Sequence, residues 1–75
     1  MKRTVNKGDT FKHFKGMIVE VLEIAKDSET LDDMVVYKHV GTDDVWVRPL
    51  TMFLSKVDKT KYPDVEQEFR FEKIN

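Results

Sequence analysis

Apolar and polar side chains alternate in short runs along this chain, and turn-forming residues separate the runs at close intervals. After the turn signal Lys7-Gly8-Asp9, the stretch Thr10 to Lys15 sets Phe11, His13 and Lys15 against Lys12 and Phe14, a short strand closed by Gly16. Met17 to Ala25 is rich in Val, Ile and Leu, with Glu20 and Glu23 breaking the run, and its β-branched content favours a strand over a short buried helix. A polar connection through Asp27-Ser28-Glu29-Thr30 and Asp32-Asp33 leads into Met34 to Val40, the clearest strand pattern of all. Gly41-Thr42-Asp43-Asp44 returns the chain into Val45-Trp46-Val47-Arg48, and so short a loop predicts an antiparallel hairpin. Pro49 cannot donate to a ladder, so it ends that strand and suits the first position of a helical turn. Leu50, Phe53, Leu54 and Val57 follow at helical spacing, giving one or two turns with a single apolar face. Asp58 to Gln67 is polar, contains Pro63 and reads as a loop, after which Phe69 and Phe71 alternate against Arg70 and Glu72 in a final edge strand.

Five short strands with a helical turn before the last predict a mainly β fold, a small SH3-like barrel of about five antiparallel strands. The apolar turn would plug one open end through Phe53, with Leu50 and Leu54 also in the core. An open, curved antiparallel sheet carrying one short helix satisfies the same pattern. On the strand after the hairpin loop, Val45 and Val47 are expected to enter the core, which leaves Trp46 and Arg48 outside it.

Length bounds this picture. Residues 1–75 make one domain, because two cores cannot be built from so few, and a chain of this size buries only about 60% of its unfolded surface. With no cysteine, neither disulfides nor thiolate metal sites add stability. Apolar residues, or a second subunit, must supply it, so a monomer or a homodimer is expected. The absence of cysteine fits a reducing cytosol. Met1-Lys2-Arg3 leads into polar residues without an apolar run, so no secretory signal is visible, and no run of apolar residues could span a membrane. A cytoplasmic protein without a membrane partner is the expectation.

Charge is balanced overall, 13 basic against 14 acidic side chains, but unevenly placed. Met1 to Lys26 holds six basic and three acidic residues, whereas Asp27 to Val45 holds one basic and six acidic. A sequence-independent nucleic-acid binder would normally carry a larger basic excess, so nucleic acid is a partner of second rank.

Little in the sequence points to catalysis. His13 and His39 fall on different strands, and no HExxH or paired-histidine spacing is present, so no metal or other cofactor is expected. Gly8, Gly16 and Gly41 are isolated and form no phosphate loop. Ser28 lies beside Glu29 without a nucleophile elbow, and a turn serine is the ordinary interpretation. Trp46 and Arg48 are more suggestive. Two apart on a strand, they project to one face, where Tyr37 and His13 from neighbouring strands can join them: flat surfaces for stacking and a forked donor for carboxylate or phosphate. Packing competes with this, since a lone tryptophan is often a partly buried core residue and Arg48 could pair with Glu20 or Glu29 across strands. His13 has a structural alternative as a hydrogen-bonded strand residue. Ser28, Glu29 and Thr30 either fix a turn through backbone bonds or form a polar rim beside the Trp46 face.

The segments His13-Phe14-Lys15-Gly16, Ser28-Glu29-Thr30, Val35-Val36-Tyr37, Trp46-Val47-Arg48-Pro49, Met52-Phe53 and Arg70-Phe71 follow one another in a recognisable order. Together they resemble the small bacterial domain-of-unknown-function family 1653, from about Gly8 to Ile74. Asp27 stands where that family often has a histidine before Ser-Glu-Thr, Val19 replaces a frequent tyrosine, and Phe69 replaces a proline before Arg-Phe. The resemblance implies a stand-alone bacterial domain of compact β structure and brings no assigned activity. It places His13, Lys15, Ser28, Glu29, Thr30, Tyr37, Trp46 and Arg48 on motif positions, and these are the candidate ligand-binding residues.

Three functions remain in order of expectation. The first is a non-enzymatic binding module whose aromatic-basic face engages a small anionic ligand or peptide. The second is a nucleic-acid-associated barrel using Lys12, Lys15 and Lys26 beside Trp46. The third is a small hydrolase-type enzyme built on His13 and Glu29.

Overall fold

The computed structural model describes residues 3–74. Five strands, β1 (Thr10–His13), β2 (Ile18–Lys26), β3 (Asp33–His39), β4 (Val45–Pro49) and β5 (Phe71–Lys73), and one helical turn, α1 (Leu50–Phe53), follow in the expected order, with α1 before the last strand. The strands form one antiparallel sheet in the order β4-β3-β2-β1-β5. Its edges, β4 and β5, do not pair with each other, so the sheet is open and the expected barrel is not closed. The reason lies in the connection between them. α1 is laid over one face of the sheet, where Phe53 packs on Phe11, Tyr37 and Phe71. Residues 55–57 then pair with 68–70 beside β5, through the Lys56–Phe69 bridge and the bonds Val57 N–H to Glu68 O and Arg70 N–H to Ser55 O. The core is thus closed by a helical turn and a strap instead of by edge-to-edge pairing.

Register decides which side chains share that face, because residues opposite one another across an antiparallel pair project to the same side. Phe11 faces Val19, Val21 faces Tyr37, and His13 faces Phe71. β2 does not alternate cleanly, and its register shifts between Val21 and Glu23. This bulge brings Ile24 opposite Val35 and sends Glu23 to solvent, where it pairs with Lys7 at 3.6 Å. The glutamate that interrupts the apolar run is therefore accommodated by one extra residue.

Phe11, Val19, Val21, Val35, Tyr37, Phe53 and Phe71 make up the core, with Val5, Ile24 and Leu50 against it. Phe53 is fully buried and stacks on Phe71 with ring centroids 4.1 Å apart. Burying such a ring contributes about 1.5–3 kcal/mol. The N-terminal arm closes one side: Arg3 donates to the carbonyls of Leu54 and Phe71 and lies over the Phe69 ring.

On β4 the expected facing is reversed. Tyr37 opposes Trp46 and Val35 opposes Arg48, so Trp46 and Arg48 lie on the inner face, while Val45 and Val47 point outward at 59% and 60% exposure. The buried partners Val35 and Tyr37 on β3 impose this. Phe53 of α1 packs over Tyr37, whereas Trp46, opposite Tyr37 on the same inner face, remains half-exposed.

Candidate functional site

The uncovered part of the inner face is a cleft of about 450 Å³. Its floor is His13 and Phe71. One wall comes from β3 and β4, with Tyr37, His39, Trp46 and Arg48, and the other from the β1–β2 turn and the loop around Asp58 to Tyr62.

The β1–β2 turn is shaped by Gly16, whose φ of 101° lies in a region L side chains rarely adopt. Gly16 N–H bonds to His13 O and His13 N–H to Met17 O, both at 2.8 Å, which holds Phe14 and Lys15 at the tip. The Lys15 amide donates to His13 Nδ1 at 3.1 Å. In the neutral ring Nδ1 is therefore the acceptor, and the proton resides on Nε2. His13 is buried, with its ring 4.4 Å from Phe14 and 4.9 Å from Phe71. Burial, and then the positive charges of Arg48, Arg70 and Lys15 and the His39 ring, push its pKa down to about 4, so it is uncharged at neutral pH.

Four cations reach the cleft: Lys15, Arg48, Lys61 and Arg70. Arg48 Nε donates to the Tyr37 hydroxyl at 3.4 Å, and Arg70 Nε to Ser55 Oγ at 3.3 Å. Lys15 and Lys61 lie over the Tyr62 ring at 5.4 and 5.9 Å. Among the described residues none of the four forms an ion pair, although Lys7, Lys26, Lys56 and Lys73 each find a carboxylate elsewhere. Asp58 is the one carboxylate in the lining, and its hydrogen bonds from the Thr60 hydroxyl and amide hold it below the usual carboxylate range. Aromatic rings complete the site. Tyr37, His39 and Trp46 form a ladder with centroid spacings of 6.4 and 5.9 Å, and Phe14 meets Tyr62 at 5.0 Å.

His13, Lys15, Tyr37, Trp46 and Arg48 are thus brought together. Ser28, Glu29 and Thr30 are not, and a polar rim beside Trp46 is not formed. They occupy the β2–β3 turn, at the far end of the nine residues of β2, each about 3.3 Å in rise. That turn satisfies itself: Asp27 Oδ1 accepts from the Glu29 and Thr30 amides, and Thr30 Oγ1 from the Asp32 amide. The same separation removes a His13–Glu29 acid–base pair. A Lys12-Lys15-Lys26 stripe is not assembled either, since Lys12 is exposed on the outer face and Lys26 is paired with Asp33 at 2.6 Å. Arg48 pairs with neither Glu20 nor Glu29.

The candidates drawn from the sequence do not include His39, Lys61, Tyr62 and Arg70. Arg70 sat within a recognised segment, and alternation with Tyr37 on one strand was enough to place His39 on the same face. Lys61 and Tyr62 lie in an irregular loop, where no periodicity marks them.

Taken as a class, this is a small open antiparallel sheet with a cation-rich, aromatic-walled cleft on its inner face. The chain belongs to the family described as protein of unknown function (DUF1653), whose model matches residues 9–73. No curated protein and no solved structure matches it. Among the described residues no helix is long and apolar enough to cross a membrane.

Proposed function

We propose that this protein is a non-enzymatic binding module whose cleft takes a small anionic ligand. One observation carries this: Lys15, Arg48, Lys61 and Arg70 share a cleft with a single carboxylate, and none has an ion-pair partner among the described residues. Gathering like charges without partners costs free energy, and an anion seated between them recovers it. The partly buried setting strengthens that attraction relative to open solvent. His13 supports the same reading, since a neutral ring with its proton on Nε2 offers a donor to an anion without adding a charge to the cluster.

Trp46 is the only tryptophan in the chain and lines the cleft, so its fluorescence reports on occupancy. Titration with phosphate, carboxylates and phosphate esters is expected to give a saturable change for at least one anion. At 100 times its dissociation constant that anion should add about 2.7 kcal/mol of stability. Arg48→Ala should abolish both responses. If no anion shifts either the fluorescence or the melting temperature of the wild-type protein, the proposal is wrong.

A further inference from the structure

Arg48 and Arg70 show the same incomplete hydrogen bonding, although they come from opposite edges of the sheet. Each has its Nε committed to a hydroxyl, Tyr37 for Arg48 and Ser55 for Arg70. Neither Nη group of either residue has an acceptor among the described residues. Two guanidinium forks are therefore oriented from behind and open in front. Both line the same cleft as His13.

The number of open donors selects among anions. A carboxylate has two oxygens and one charge, and a single fork satisfies it. A phosphate monoester carries about 1.5–2 negative charges and three strong acceptor oxygens at neutral pH, which suits two forks with Lys15 and the His13 Nε2–H beside them. Four cations against Asp58 alone also leave a positive excess that a monoanion would not balance.

The rings supply the second half. Trp46 is half-exposed within the cleft, with His39 behind it, and the Phe14–Tyr62 pair belongs to the opposite wall. Inorganic phosphate would leave these faces wet, whereas a flat ring stacks on them as nucleobases do on aromatic side chains. A cleft of about 450 Å³ falls within the range that accommodates a small organic ligand.

We propose that the cleft binds a phosphate monoester joined to a planar heteroaromatic ring, the chemistry of a mononucleotide, with Arg48 and Arg70 on the phosphate and Trp46 against the ring. This rests on the anion-binding reading above and narrows it.

Calorimetric and Trp46-fluorescence titrations with adenosine monophosphate, uridine monophosphate, adenosine, ribose phosphate and indole acetate test it. One of the two nucleotides should bind about tenfold or more tighter than adenosine and ribose phosphate, a gap near 1.4 kcal/mol. Arg48→Lys and Arg70→Lys should each weaken it by about tenfold, because an ammonium does not reproduce the fork. Should either variant fail to fold, phosphorus NMR of the wild-type complex decides: the bound phosphate should stay dianionic to lower pH than the free nucleotide. Ribose phosphate binding as tightly as the nucleotides, or indole acetate binding more tightly, overturns this inference while leaving an anion site in place. Binding of none of the anions overturns both proposals.

Discussion

Arg48 donates its Nε proton to the hydroxyl of Tyr37, 3.4 Å away on the adjoining strand. The two are diagonal neighbours on the inner face, where Tyr37 opposes Trp46 and Arg48 opposes Val35. The bond is long, so its worth to folding is small, but it fixes the direction in which the guanidinium faces the cleft. Tyr37→Phe keeps the ring that packs on Phe53 and Phe71 and removes only the acceptor. Stability should change by no more than about 1 kcal/mol, while affinity for the anion falls, as read by calorimetry beside urea denaturation. A loss of folding stability without a loss of affinity would make the hydroxyl a scaffold group.

The facing of β4 predicts unequal costs for two truncations. Phe53→Ala should destabilise by about 3–5 kcal/mol in urea denaturation, since a fully buried ring leaves a cavity among Phe11, Tyr37 and Phe71. Val47→Ala should change stability by no more than about 0.5 kcal/mol, because Val47 is 60% exposed on the outer face. A large cost for Val47 would show that its face is covered in solution.

These two residues also mark how far the sequence could be read. Every strand and the helical turn were legible, because period-two patterning and turn residues bound them closely. Phe53 was legible as core, since it lies on the only apolar helical face. The facing of β4 was not: both of its alternations carry large side chains, and only pairing with the buried Val35 and Tyr37 settles which turns inward. Closure was equally hidden, because Val57 follows Leu50, Phe53 and Leu54 at helical spacing, whereas the helix ends at Phe53 and residues 55–57 pair with 68–70. Within the site, alternation brought His13, Tyr37, Trp46 and Arg48 to one face, whereas the motif alone could not show that Ser28, Glu29 and Thr30 sit at the other end of β2.

His13 gives the fold a pH dependence of defined sign. Its pKa falls from 6.5 in the unfolded chain to about 4 when folded, chiefly through burial. Between those values the unfolded chain binds the proton and the folded one does not, so stability should decline as pH falls from 6.5 to about 4 and then level off for this group. Asp27 and Asp58 act in a separate window: their pKa values are held below 3.8, so the stability they contribute is lost only as pH falls through those depressed values. Urea midpoints across this range should slope in the wild type and flatten above pH 4 in His13→Gln. An unchanged slope in the variant would assign the titration to another group.

A cluster of unpaired cations should also make the empty cleft a net cost to folding, and this separates a binding site from a structural network. Were Arg48 held by a buried carboxylate, its removal would strand that charge and cost about 3–5 kcal/mol. The structure gives it a neutral hydroxyl partner and places Lys15, Lys61 and Arg70 in the lining of the same cleft. Arg48→Gln keeps a polar side chain of similar reach and removes one like charge from the group. Without ligand it should leave stability unchanged or raise it by up to about 1 kcal/mol at low salt, the scale of a partly exposed charge interaction. Salt near physiological strength, with a screening length of about 8 Å, should shrink the gain, and higher salt should erase it. The same variant should bind the anion far more weakly at every salt concentration. Denaturation midpoints of wild type and Arg48→Gln at two ionic strengths, read beside Trp46 titrations, test both halves. A variant that is markedly less stable at low salt would place Arg48 in the scaffold and withdraw it from the site.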